Sequence, residues 1–248
     1  MTKEKPKNLY KYRSINIHTL NLILANEAYF SIPIEFNDPF DCNISPQIDY
    51  TWQKEFIDAL RRDNNFTEKD YQDFIKDPEG KMEYGWKATI DNIRNKMRIF
   101  CFSEVNNSVL MFSHYADKHK GICLEFVISK DPFFDLLDYV RYQDKTPVFH
   151  AFNKNINEIH KELEVIELLT KSRTWCYERE WRILKKDPAP INKFHTGTLS
   201  AIIFGCQTSY SNKLLIKNII AKRETPIQLK EAVKKRKSFE LEIIPCQL

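Results

Sequence analysis

Apolar positions along the chain switch repeatedly between a period of two and a period near 3.6, which predicts strands and helices in mixed order. Residues 9–13 read as an opening strand. Ser14 or Asn16 can cap a short helix whose apolar positions Leu20, Ile23 and Leu24 fall on one side. Residues 28–31 read as a second strand ending before Pro33, and residues 36–41 (FNDPFD) carry turn chemistry. A helical insertion is expected over about 51–97. Its stripes are Trp52, Phe56 and Leu60; then Tyr71, Phe74 and Ile75 after a Thr67 cap; then Met82, Trp86, Ile90, Ile93 and Met97. Such aromatic stripes are core far more often than cofactor sites.

Strands are predicted at 98–102 and 122–128 around a short helix near 107–118, with another at 139–142. Ile156, Ile159, Leu163, Ile166 and Leu169 predict a helix over 153–170. The strand holding Glu180 follows, then 199–204, a helix near 211–222 and a last strand at 239–244. Helices and strands do not alternate strictly, so the expected class is α+β, a single domain over 1–248 with a mixed or antiparallel sheet flanked by helices.

Composition narrows the function classes. Gly is scarce at 5 residues, and no GxGxxG or GxxxxGK loop is present, which removes the commonest nucleotide-binding motifs. Net charge is +4 and the pI is about 8.6, an excess that suits an anionic small molecule without demanding nucleic acid. The run Lys234-Lys235-Arg236-Lys237 is expected to be a solvated loop or helix end. Six widely spaced cysteines without a CxxC pair point to reduced thiols. The charged N-terminal region and the absence of a long apolar stretch predict a soluble, cytoplasmic protein without a membrane partner.

Four polar clusters carry candidate chemistry. In 9–14 (LYKYRS), Arg13 and Ser14 stand where a strand yields to a helix start. Arg13 can clamp a phosphate pair bidentately, with free helix N–H groups behind it; the plain alternative is a structural ion pair. In FNDPFD, Asn37 and Asp38 either face a ligand or hold a turn. In 101–104 (CFSE) and 111–126 (MFSHYADKHKGICLEF), Ser103 sits just past an apolar strand, and His114 and Tyr115 can line the same cleft, Tyr115 stacking on a planar ring. His114 and His119 are five apart and do not share a helix face, so no metal is expected. In 175–184 (WCYEREWRIL), strand alternation would put Glu178, Glu180 and Arg182 on one face and Trp181 and Ile183 on the other. The alternative is a surface ion pair between Glu180 and Arg182, worth little.

These segments, with the 201–205 strand AIIFG, resemble a bacterial family known as domain of unknown function 2971, across residues 9–205. The family supplies no established reaction; its members are associated only loosely with phage defence. More distantly, the layout resembles the ADP-ribosyltransferase fold, which takes an Arg or His from a first strand, a Ser or Tyr from a middle strand and a catalytic Glu from late in the chain. The resemblance implies an ADP-ribosyltransferase-like split sheet, with NAD as substrate. Glu180 would stabilise the developing positive charge, and Glu178 would orient or deprotonate the acceptor. Ser103 would position the ribose or Glu180. Arg13 would hold the pyrophosphate, with Ser14, Asn37, Asp38, His114, Tyr115 and Arg182 lining the nucleotide. Ser103 lies in Phe-Ser-Glu and lacks the Ser-Thr-Ser triplet of one large branch. The expected activity is cleavage of NAD to modify a macromolecular acceptor (protein or nucleic acid) or to deplete NAD. The alternatives are a metal-independent ribonuclease-type effector using His114 with Arg13 or Arg182, and a non-catalytic nucleotide-binding module.

Overall fold

The computed structural model of the chain describes residues 3–44, 47–48, 67–128, 131–149, 156–186 and 189–248. In chain order its strands are β1 (Asn8–Arg13), β2 (Glu27–Tyr29), β3 (Gln47–Ile48), β4 (Arg98–Ser103), β5 (Ile122–Val127), β6 (Leu137–Tyr139) and β7 (Arg141–Gln143). They continue with β8 (Val148–Phe149), β9 (Thr170–Ser172), β10 (Glu180–Lys185), β11 (Ile191–Lys193), β12 (Leu199–Phe204), β13 (Gln228–Lys234) and β14 (Leu241–Pro245). The residues gather into two compact units. The first comprises Met1–Ser31, Arg98–Val140 and Thr174–Leu248; the second comprises Ile32–Met97 and Arg141–Arg173. The α+β class holds.

The first unit is built on an eight-stranded sheet in the order β14-β13-β12-β5-β1-β4-β10-β6. Neighbours are antiparallel except β12 and β13, which run parallel on either side of the helix Tyr210–Ile220. Alternation sorts the sheet into two faces. One carries Leu9, Phe100, Phe102, Leu124, Phe126, Trp181 and Ile183, and is covered by Leu22 and Ile23 of the helix Ile17–Ala25 and by Ile216. Edge-to-face rings knit this layer, with Phe100 and Phe102 centroids 4.9 Å apart and Phe102 and Phe126 5.3 Å apart. Each such buried ring contributes about 1.5–3 kcal/mol of transfer free energy. The opposite face carries Tyr12, Cys123, Ile203 and Ala232, and packs against Met111 and Phe112 of the helix Val109–Tyr115.

One seam of this sheet is thin. β1 runs six residues in register with β5, from Asn8 opposite Val127 to Arg13 opposite Ile122. Against β4 it has a single registered pair, Tyr10 opposite Ser103. Beyond that pair the two strands diverge. The sheet is therefore split between β1 and β4.

Asn16 caps the first helix, its Oδ1 accepting from the Thr19 N–H at 3.0 Å. The buried positions are Thr19, Leu22 and Ile23, whereas Leu24 is 51% exposed. The expected stripe was one residue out of phase at its end, because Leu22 at this register faces the sheet. Strand β13 was not foreseen: Gln228–Lys234 (QLKEAVK) is mostly polar, and only Ala232 is buried. Lys234 of the basic run therefore ends a strand, with Lys235–Lys237 in the turn to β14, where Lys237 has φ 59°. Residue 239 was expected to begin the last strand, but Phe239 is fully exposed and β14 starts at Leu241. The expected strand at 139–142 is two strands, β6 and β7, in different sheets.

The second unit holds the helices Glu68–Phe74, Pro78–Lys96 and Ile156–Leu169, with the parallel pairs β3–β8 and β7–β9. Thr67 caps the first of these helices with a full capping box to Asp70. Trp86, Ile90, Ile93 and Met97 are buried as expected, and Trp86 packs edge-on to Phe149 at 5.3 Å. The stripe Trp52, Phe56 and Leu60 lies outside the described residues. Tyr71 and Phe74 are only half-buried and Ile75 is exposed, so that helix presents no buried stripe. Among this unit's ion pairs, Arg94 Nε to Glu167 Oε1 at 2.6 Å and Lys171 Nζ to Asp41 Oδ2 at 3.0 Å each involve a buried carboxylate.

Candidate functional site

The split sheet sets three predicted residues on adjacent strands. Ser103, the last residue of β4, is the registered partner of both Tyr10 on β1 and Glu180 on β10. Arg182 lies opposite Cys101, two residues along the same face. Glu180 and Arg182 are buried, at 6% and 0% exposure, and share a two-bond ion pair: Arg182 Nε donates to Glu180 Oε1 at 2.7 Å and Nη2 to Oε2 at 2.9 Å. This is the pair sequence alternation forecasts, but it is enclosed. At that burial it fixes the carboxylate in one geometry, and removing one partner would leave a costly lone charge.

Glu178 is not on the strand. It ends the 3₁₀ turn Arg173–Glu178, and Arg179 takes the left-handed region at φ 45° before β10 begins. That residue breaks the alternation that would have put Glu178 beside Glu180. Glu178 is nevertheless tied to the same place. Its backbone oxygen accepts from Ser103 Oγ at 2.6 Å, and its Oε1 accepts from Tyr115 Oη at 2.6 Å. Ser103 Oγ also accepts from the Val105 N–H at 3.1 Å. The hydroxyl thus pins the turn that delivers both acids to the end of β10.

His114 and Tyr115 close the helix Val109–Tyr115. His114 is exposed, and its ring lies near those of Tyr115, Trp175 and Tyr177, at 6.2, 6.3 and 6.4 Å between centroids. The third and fourth sequence clusters are therefore one assembly, an aromatic wall beside two acids. Below it, Asp117, Lys118 and His119 are consecutive left-handed residues, with φ 45°, 52° and 69°. They turn the chain into Gly121, where a Cβ would stand 2.3 Å from the Arg13 carbonyl oxygen. Only glycine allows the loop to pass so close to the end of β1.

The first cluster reaches the site from across the split. Alternation from Tyr10 assigns Lys11 and Arg13 to the other side of β1 from Ser103, so Arg13 does not share the face of Glu180 and Ser103. Lys11 Nζ donates to the Cys101 carbonyl at 2.6 Å and lies 3.8 Å from the centre of the Phe100 ring. Arg13 and Glu180 both act on its charge. Burial is the main cause that pushes the Lys11 ammonium down to about 7, with Arg13 adding to the fall and Cys101 and Glu180 opposing it. Arg13 is half-buried; burial lowers its guanidinium from the ordinary value, and its enclosed Nε has no hydrogen-bond partner. Among the described residues, no carboxylate pairs with Arg13. Cys101, on β4, is half-buried, and its thiol is pushed well above the ordinary range, first by desolvation and then by Glu180. It is a packing thiol and not a nucleophile.

Ser14 follows Arg13; its Oγ accepts from Asn16 Nδ2 at 3.1 Å, and its carbonyl accepts from Thr19 Oγ1 at 2.8 Å. Asn37 and Asp38 lie in the second unit. Asp38 is buried and its Oδ1 accepts from the Phe40 N–H at 2.9 Å, a local turn bond, while Asn37 is exposed. With Asp41 paired to Lys171, the FNDPFD segment is held as the turn its composition suggests. Lys11 is the residue sequence reasoning overlooked. Its signal was present, since in Leu9-Lys11-Arg13 the two polar members of an otherwise core-facing set are both cationic.

Residues 111–183 match the model of a family described as "Protein of unknown function (DUF2971)". The matched stretch includes His114, Tyr115, Glu178, Glu180 and Arg182, and leaves Arg13 and Ser103 outside it. No curated protein and no solved structure matches the chain. Among the described residues, no helix is long and apolar enough to cross a membrane.

Proposed function

We propose that the chain binds NAD at the split between β1 and β4 and cleaves its nicotinamide–ribose bond, transferring ADP-ribose to water or to a macromolecular acceptor. One observation carries the reading: Ser103 is registered at once against Glu180 and against Tyr10 of the first strand, which bears Lys11 and Arg13 on its other side. An early cation, a central hydroxyl and a late acid thus occupy three adjacent strands of a split sheet, the arrangement that the resemblance to ADP-ribosyltransferases calls for.

The residues have a coherent division of labour. Cleavage passes through an oxocarbenium-like state, and the departing nicotinamide takes the electrons of the broken bond. Glu180, held by Arg182, accepts from the ribose hydroxyl beside the reacting carbon and stabilises the emerging positive charge. Ser103 is a positioning residue, acting through the turn that carries Glu178 and Glu180. Glu178, fixed by Tyr115, orients the acceptor, and the His114–Trp175–Tyr177 wall supplies planar surface for a ring. Arg13 stands on the other side of β1 from Ser103 and would meet the pyrophosphate only through the gap where β1 parts from β4.

The deciding experiment is incubation of the purified chain with NAD and mass analysis for nicotinamide and ADP-ribosylated products. Glu180→Gln keeps an acceptor for Arg182 and is expected to cut nicotinamide release by about 10²-fold or more. Unchanged release in that variant, or no release from the parent chain, refutes the assignment.

A further inference from the structure

We propose that Lys11 and Arg13 together form an anion site for a pyrophosphate-bearing ligand at the divergence of β1 from β4. The proposal rests on the functional reading above for the identity of the ligand, and adds Lys11 to the site. Lys11 and Arg13 share one side of β1, and Glu180 and Arg182 stand on the other side of the sheet, where Glu180 still acts on the Lys11 charge. Glu180 is committed to Arg182 through two hydrogen bonds. That neutral pair leaves two cations without an acid of their own. Among the described residues, Lys11 is met by a neutral carbonyl, that of Cys101, and by the faces of Phe100 and Phe102 at 3.8 and 5.9 Å. Arg13 has an enclosed Nε without a hydrogen-bond partner, and no carboxylate pairs with it among the described residues.

Two enclosed cations of like sign on alternate positions of one strand repel each other, and desolvation compounds the cost. A structure keeps such an arrangement most readily where an anion completes it. A pyrophosphate offers two groups spaced to meet a guanidinium fork and a point-like ammonium, one each. β1 and β4 share a single registered pair, Tyr10 with Ser103, and at the Cys101 carbonyl the Lys11 ammonium is the donor from β1. On binding, its ammonium has two further protons to donate.

Lys11 also gives the site a signature that a merely structural lysine would not have. The groups packed against it are Arg13 on its own strand, Cys101 with the rings Phe100 and Phe102 on β4, and Glu180 on β10. With Lys11 titrating at about 7, the amine is largely neutral at pH 8 and charged at pH 6. Anion binding therefore draws in a proton near pH 8 and strengthens as pH falls.

Inorganic pyrophosphate and ADP-ribose, titrated calorimetrically into the full chain at pH 6, 7 and 8, test this directly. Both are expected to bind, about tenfold more tightly at pH 6 than at pH 8, with proton uptake at pH 8 seen as a buffer-dependent heat. Arg13→Gln should weaken binding by about tenfold or more at every pH, and Lys11→Met should abolish the pH dependence. Absence of binding, pH-independent binding in the parent chain, or unaltered binding in Arg13→Gln each overturns the proposal. The parent profile alone decides the part played by Lys11, so a poorly folding variant does not leave it open. NAD cleavage without pyrophosphate binding would sink this site and leave the catalytic reading standing; the reverse result would do the opposite.

Discussion

At the scale of single residues, Lys11 shows how a buried base trades stability for readiness. Its ordinary value is near 10.4, so the unfolded chain holds this proton up to that pH, while the folded chain releases it at about 7. Between those values the unfolded state binds more protons, and stability rises with pH. The rise is at most about 1.4 kcal/mol per pH unit for one group, and less here because Lys11 keeps some solvent contact. Above about pH 8.5 the thiols of half-buried Cys101 and buried Cys123 act the other way. Both are pushed upward by burial, so the unfolded state loses those protons first and stability falls. The expected result is a melting temperature that climbs from pH 7 to about 8.5 and then turns over. Lys11→Met should flatten the climb and raise the value at pH 7. A parent chain whose stability declines steadily from pH 7 would contradict this account of Lys11.

At the scale of elements, the loop Asp117–His119 holds three successive left-handed residues, none of them glycine. Each costs roughly 1–2 kcal/mol against the right-handed region. The surrounding bonds over-determine the shape: the His119 N–H donates to the Phe112 carbonyl at 3.0 Å, and the Gly121 N–H to the Ala116 carbonyl at 2.8 Å. Lys118 is exposed, so Lys118→Gly should remove strain without losing a packed side chain and stabilise the chain by about 1 kcal/mol in chemical denaturation. Gly121→Ala should do the reverse, because the new methyl group would meet backbone oxygen. Much of this element level was legible beforehand. Thr67 and Asn16 announced their helices, and the apolar runs at 98–102, 122–127 and 199–204 could hardly be anything but buried strands. Gln228–Lys234 was illegible for a physical reason, since it lies next to the sheet edge and buries one side chain. Glu178 was misplaced because nothing in Tyr-Glu-Arg-Glu marks Arg179 as the left-handed residue. The pairing of Ser103 with both Tyr10 and Glu180 was not readable at all, being a fact of long-range register.

At the scale of the molecule, strand pairing divides the large sheet into a five-strand plate, β14 to β1, and a three-strand plate, β4 to β6. The two meet through Tyr10 and Ser103. Native-state hydrogen exchange should report two protection levels, with amides of β5 and β12 opening at a different free energy from those of β10. A single shared opening energy across all three strands would show that one pair suffices to couple the plates. Protection common to both plates, appearing only when pyrophosphate is added, would tie that coupling to the cations of β1.

The Cys101 carbonyl is the small feature with the widest reach. It is the point where ladder bonding between the plates stops and a lysine tail stands in for a backbone amide. A side chain can let go of such a carbonyl without unzipping a strand. The seam is therefore a latch rather than a weld, and whatever lures the lysine away changes how stiffly the two plates move together.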